Sequence, residues 1–107
     1  MAFIEVDDMD FHEVLAEEFS KGQTVILKFG SEYCDGCIAL DFELEELDDK
    51  YENISVLAID PAESESLAQT YNVTQVPTMV IYEDAETILW QKEGIMLAVD
   101  IEKIIGS

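Results

Sequence analysis

The chain has 107 residues, 49% of them apolar, with five lysines, no arginine and 25 acidic side chains, for a net charge of −20. The length predicts a single domain over residues 1–107, and the apolar content argues against disorder despite the charge. So negative a chain repels nucleic acid and anionic membrane surfaces, and no apolar run approaches the length of a membrane span. The acid either keeps the protein soluble or favours a basic protein partner. The first ten residues carry acid where a secretory leader would carry base and then an apolar run. The expected location is therefore cytoplasmic, where a close cysteine pair is more often catalytic or metal-binding than structural.

Phe3-Ile4-Glu5-Val6 reads as a short strand. Asp7 to Asp10 supplies helix caps, with Asp10 and Glu13 spaced as a capping box. Phe11, Val14, Leu15 and Phe19 then recur at helical spacing until Lys21-Gly22 stops them. His12 lies off that stripe among acidic neighbours and reads as solvated. Thr24 to Phe29 is too continuously apolar to face water and predicts a buried strand. From Asp35 a helix should run to about Tyr51. It would bury Leu40, Leu44, Leu47 and Tyr51 with Ile38 and Phe42 beside them, and turn Glu43, Glu45, Glu46, Asp48 and Asp49 outward.

Residues 54–59 form a second buried strand closed by Asp60-Pro61, and Leu67, Ala68 and Tyr71 mark a short helix ending near Asn72. This alternation implies parallel strands with right-handed crossovers. After Val76-Pro77 the pattern changes. Residues 78–82 and 87–90, joined by Glu83-Asp84-Ala85-Glu86, should form an antiparallel hairpin that Gly94 ends. A closing helix uses Leu97, Ile101, Ile104 and Ile105 as its apolar face. The predicted class is α/β, a mixed parallel and antiparallel sheet with helices on both faces.

The two cysteines, Cys34 and Cys37, stand where the buried strand hands over to the acidic helix. Unpaired backbone N–H groups and the helix dipole there favour a thiolate at Cys34. A second thiol one turn later can attack a mixed disulfide formed at the first. A Cys-x-x-Cys pair also occurs in zinc sites, but zinc wants four ligands and the rest of the chain offers His12 and carboxylates. A metal would have to be shared between two chains. Two inert buried cysteines are the third reading, weakened by the turn-forming Asp35-Gly36 between them.

Cys34-Asp35-Gly36-Cys37 after an apolar strand, Val76-Pro77-Thr78 before a hairpin, and Gly94 near the end of the last strand fall in one familiar order. Over essentially its whole length the chain resembles the thioredoxin family. The resemblance implies the thioredoxin-like fold, with Pro77 in the cis form facing the cysteines and Val76 offering backbone to an extended substrate. Tyr33, Gly94 and Ile95 would complete the substrate groove. It also implies a protein disulfide reductase in which Cys34 attacks and Cys37 resolves, with no bound cofactor and no metal. Such a protein acts as a monomer on disulfide-containing proteins. It takes electrons from a thioredoxin-type reductase, NADPH- or ferredoxin-dependent. The alternative, from a different class, is a redox-dependent protein-interaction module with little turnover. A glutathione user is disfavoured, because the chain lacks the cationic clamps that tripeptide's carboxylates need.

Four departures from the family pattern bear on the chemistry. Tyr33 replaces the usual Trp, and Asp35-Gly36 replaces the usual Gly-Pro, which should loosen the turn. Phe42 or a neighbour occupies the place of a mid-helix proline, so less kinking is expected. Glu32 and Asp35 set negative charge beside Cys34, opposing the helix dipole and favouring a reducing couple. Lys28 stands where the family carries a buried acid. It could act as a base only after losing its own proton, stabilise a Cys37 thiolate by charge, or join an ion pair. It could equally lay its stem along the sheet with its head in solvent.

Overall fold

The computed structural model describes residues 3–106. In chain order the elements are β1 (Phe3–Glu5), α1 (Phe11–Ser20), β2 (Thr24–Phe29), α2 (Asp35–Lys50) and β3 (Ile54–Ile59). They continue with α3 (Glu65–Thr70), β4 (Thr78–Asp84), β5 (Thr87–Glu93) and α4 (Ala98–Ile105). The strands form one sheet in the order β1-β3-β2-β4-β5. β2 lies at its centre, parallel to β3 and antiparallel to β4, with Lys28 opposite Ala58 on one side and Met79 on the other.

The two-residue repeat of a strand sorts β2 onto both faces. Val25, Leu27 and Phe29 pack with Phe11, Leu57, Ile59 and Leu67 beneath α1 and α3. Ile26 packs with Leu40, Leu44, Leu47, Val56, Met79 and Ile101 beneath α2 and α4. Lys28 falls on the same face as Ile26, so its side chain enters the layer under α2. The expected α/β architecture with helices on both faces is therefore the one observed.

Several local expectations change. The Asp10–Glu13 capping box does not form. Asp10 instead accepts the Asp7 N–H at 2.8 Å, while Asp7 accepts from the N–H groups of Met9 and Asp10, a short-range turn that competes with capping. The hairpin strands run to Asp84 and on to Glu93, longer than the apolar runs, because exposed Asp84, Lys92 and Glu93 keep the ladder by pairing with Thr87, Met79 and Thr78. Leu97 is the exposed residue before α4, and Ala98 and Ile101 do the burying.

Ile38 and Phe42 lie outside the apolar face of α2. The buried row is Cys37, Leu40, Leu44 and Leu47, and residues 38 and 42 point away from it, leaving Phe42 66% exposed. α2 continues unbroken past Phe42 to Lys50, as the missing proline implies. Glu43 faces α4 rather than solvent, accepting the Ala98 N–H at 2.9 Å and so satisfying a free amide at the start of that helix.

The buried carboxylate of Glu18 has no forerunner in the periodicity. It accepts from Ser55 Oγ at 2.6 Å and Lys21 Nζ at 2.9 Å, and Ser55 Oγ accepts from Gln23 at 3.0 Å, which fastens the end of α1 to β3. The Ser55 hydrogen bond holds the Glu18 carboxyl below its ordinary value of 4.5, burial opposes it, and Lys21 adds to it.

Two outcomes follow. Ile101→Ala, emptying a fully buried position between α4 and the sheet, should lower unfolding stability by about 2–5 kcal/mol in urea titration. Because the folded-state value of Glu18 is depressed, its stabilisation is complete above pH 4.5 and is lost as pH falls through the folded value. Ser55→Ala should flatten that acid limb in a plot of unfolding midpoint against pH.

Candidate active site

Cys34 is the residue capping α2. Its backbone is extended (φ −113°, ψ 109°), its carbonyl accepts the first helical bond from the Ile38 N–H at 3.1 Å, and its Sγ accepts the Cys37 N–H at 3.1 Å. A sulfur thus takes the place that an Asp or Ser oxygen fills at many helix starts, in the field of the same amides. Cys34 and Cys37 form a disulfide with Cα atoms 5.2 Å apart, within the usual span of such bridges. Cys34 is half-buried and Cys37 is 1% exposed, so one sulfur faces outward and the other lies behind it.

The loop before β4 meets the cysteines from the side. The Val76–Pro77 bond is cis, and Thr78 Oγ1 donates to the Gln75 carbonyl at 2.6 Å, closing the turn. The Pro77 carbonyl accepts the Gly94 N–H at 2.8 Å, which brings the end of β5 alongside. Gly36 is what allows the approach. A Cβ there would stand 3.2 Å from Pro77 Cδ and 3.8 Å from Ile95 Cδ1. Cys34, Gly36, Cys37, Pro77, Gly94 and Ile95 are therefore gathered from three stretches of chain. Tyr33 is 95% exposed beside them, Val76 is half-buried, and Glu32 and Asp35 are exposed on either side of Tyr33-Cys34.

Behind Cys37 the sheet supplies a charge. A Cβ on Gly30 would meet Cys37 Sγ at 3.1 Å and Lys28 Nζ at 3.2 Å, so a residue without a side chain lets sulfur and ammonium share that corner. Lys28 Nζ lies 2.9 Å from Asp41 of α2, with the lysine side chain 11% exposed and the aspartate 36%. Its head is largely withdrawn from solvent, and the ion pair is the reading the structure selects. Asp41 was not evident beforehand. The available signal was its place four residues after Cys37, one turn along the same helix face. An open cavity of about 390 Å³ borders Lys28, Gly30 and Asp41 on one wall and carries Glu32, Asp60 and Glu63 on others.

The remaining lysines are also spoken for. Lys21 pairs with Glu18, Lys50 with Glu102 at 3.1 Å and Lys103 with Asp100 at 3.8 Å, while Lys92 lies over the Trp90 ring. The ring of acid around the dithiol is thus without a neighbouring unpaired ammonium among the described residues, and the site is strongly negative. His12 is exposed, its ring edge-on to Phe11. Among the described residues no three His, Cys, Asp or Glu side chains are grouped to hold a metal, and no helix is long and apolar enough to cross a membrane.

Comparison with known proteins agrees with this geometry. The chain is 28% identical to the thioredoxin of Staphylococcus epidermidis over 89 residues, 82% of this chain and 81% of that one. It is 25% identical to Thioredoxin Asp f 28 of Aspergillus fumigatus over 75 residues, 70% of this chain and 69% of its relative. Among solved structures it superposes on a chloroplastic thioredoxin z with a TM-score of 0.82 and 26% identity, covering 99% of this chain and 93% of the other. Residues 2–106 match the Thioredoxin family. With the match running through the fold and the disulfide standing at its Cys-x-x-Cys position, this chain belongs to the thioredoxin family and is a thiol–disulfide oxidoreductase.

Proposed function

We propose that the protein works in the reducing direction on disulfides of other proteins, as a single-domain monomer in a reducing compartment such as the cytoplasm. The observation that carries this reading is the unequal exposure of the two sulfurs at the start of one helix. The Cys34 thiolate attacks a substrate disulfide, one substrate sulfur leaves with the electron pair, and a mixed disulfide forms at Cys34. Cys37, shielded from outside thiols, then attacks Cys34 Sγ. The second substrate sulfur leaves, two electrons have passed to the substrate, and the Cys34–Cys37 disulfide of this structure is the product.

Val76, Pro77, Gly94 and Ile95 hold the substrate backbone against the sulfurs, and Tyr33 covers it from the solvent side. Lys28, Glu32 and Asp35 set the charge that the sulfurs feel. The chemistry needs no bound cofactor, because the electrons come from the thiols of a separate reductase. A thioredoxin-type reductase, drawing on NADPH or ferredoxin, supplies them.

Dithiothreitol-driven reduction of a disulfide protein such as insulin tests the assignment. Wild type should turn over, Cys34→Ser should abolish turnover, and Cys37→Ser should accumulate a mixed disulfide visible by mass spectrometry. A folded wild-type protein with negligible turnover would instead favour the redox-dependent interaction module. The direction is read from the midpoint potential of the Cys34–Cys37 couple, expected at about −270 mV or lower, whereas about −120 mV would reverse it.

A further inference from the structure

Thiol–disulfide exchange does not by itself call for a buried lysine held in an ion pair behind the resolving sulfur, yet this chain has one. We infer that Lys28 and Asp41 form an oriented charge pair whose positive end stabilises the Cys37 thiolate, with Asp41 as the positioning residue that holds the ammonium there. The inference rests on the exchange reading above and assigns a part to a residue outside the groove.

Three observations orient the pair. Nζ and Sγ both lie against the bare face of Gly30, which keeps them within about 6 Å of one another, the range over which a charge favours its opposite on a neighbour. The aspartate is the more exposed partner and borders the open cavity, so water screens its side chain more than it screens the ammonium, even though the Oδ1 facing Nζ is itself buried. Strand alternation aims Lys28 at α2, while Asp41 follows Cys37 by one helical turn, so the anchor reaches Nζ from the sulfur's own helix.

The other charged groups around this corner are acids. Glu5 of β1, Asp7 and Asp10 before α1, Glu32 before α2, and Asp60 and Glu63 after β3 line the cavity. The residues paired with Lys28 across the sheet, Ala58 and Met79, carry no charge. Lys28 is thus the cation set against a field that disfavours a thiolate. During resolution Cys37 releases its proton to solvent and its thiolate attacks Cys34 Sγ. The Cys34–Cys37 bond forms as the Cys34–substrate bond breaks, and the departing substrate sulfur keeps the electron pair and takes a proton from water. Lys28 favours the first of these events. It also stabilises the reduced protein, opposing the reducing bias of Glu32 and Asp35.

The test uses the Cys34→Ser protein, in which Cys37 is the sole thiol, and follows its ultraviolet thiolate absorbance and iodoacetamide alkylation against pH. Lys28→Met on that background should leave about tenfold less thiolate at a given pH, Lys28→Arg should stay near the parent, and Asp41→Asn should fall between them. Lys28→Gln replaces the Met variant should circular dichroism show that Met does not fold. An unchanged titration in the Met or Gln variant overturns the proposal, as does a loss in Lys28→Arg equal to that in Lys28→Met, since the charge is then retained without effect. Asp41→Asn with thiolate equal to or above the parent overturns the positioning role. The titration needs no turnover, so its outcome is separate from that of the insulin assay.

Discussion

The site depends on the packing of α2 against the sheet. Leu40, Leu44 and Leu47 are fully buried between α2 and the strand row of Ile26, Val56 and Ile81, and they fix both the height and the rotation of the helix. Once that face is seated, the start of the helix has one place to be, and Cys34 and Cys37 go with it. Cys37 belongs to the same buried row, one turn above Leu40, so the force that buries the leucines also hides the second sulfur. Cys34, at the cap, is left half-exposed. The division between a half-exposed and a shielded sulfur is a by-product of helix amphipathicity.

The second constraint is steric and is met by leaving side chains out. Gly36 opens α2 to Pro77 and Ile95, and Gly30 opens the end of β2 to Cys37 and Lys28. Protein interiors are packed closely enough that a methyl group at either position would press on its neighbour. Gly36 also occupies the place where the family resemblance implies a proline. The turn here trades a ring that restrains the backbone for room against Pro77.

Electrostatics sets this chain apart from a neutral scaffold. Four of the five lysines are in ion pairs with other acids and the fifth lies over Trp90, so among the described residues no lysine pairs with Glu32 or Asp35, the acids beside the dithiol in a chain of net charge −20. Surface pairs such as Lys103 with Asp100 contribute little to stability. The pair of Lys28 and Asp41 differs in kind, because its lysine is buried. It costs desolvation, and its place behind a reactive sulfur is where such a cost has a chemical return.

The run of residues was enough to mark the elements and their order, because strands and helices are local patterns. The continuous apolar run of β2 and β3, the leucine row of α2 and the switch to a hairpin after Pro77 all survive in the fold with bounds close to those expected. The cysteine pair at a strand-to-helix junction was legible for the same reason, since spacing and the helix terminus are properties of adjacent residues. What spacing cannot state is which partner a polar group finds across the molecule. Asp10 chose Asp7 over its own helix, Glu43 turned to cap α4, Glu18 went inward to Ser55, and Lys28 met Asp41. Each of those outcomes required two distant stretches to be brought together first, and that was decided by the burial of apolar faces, to which the polar groups then had to conform.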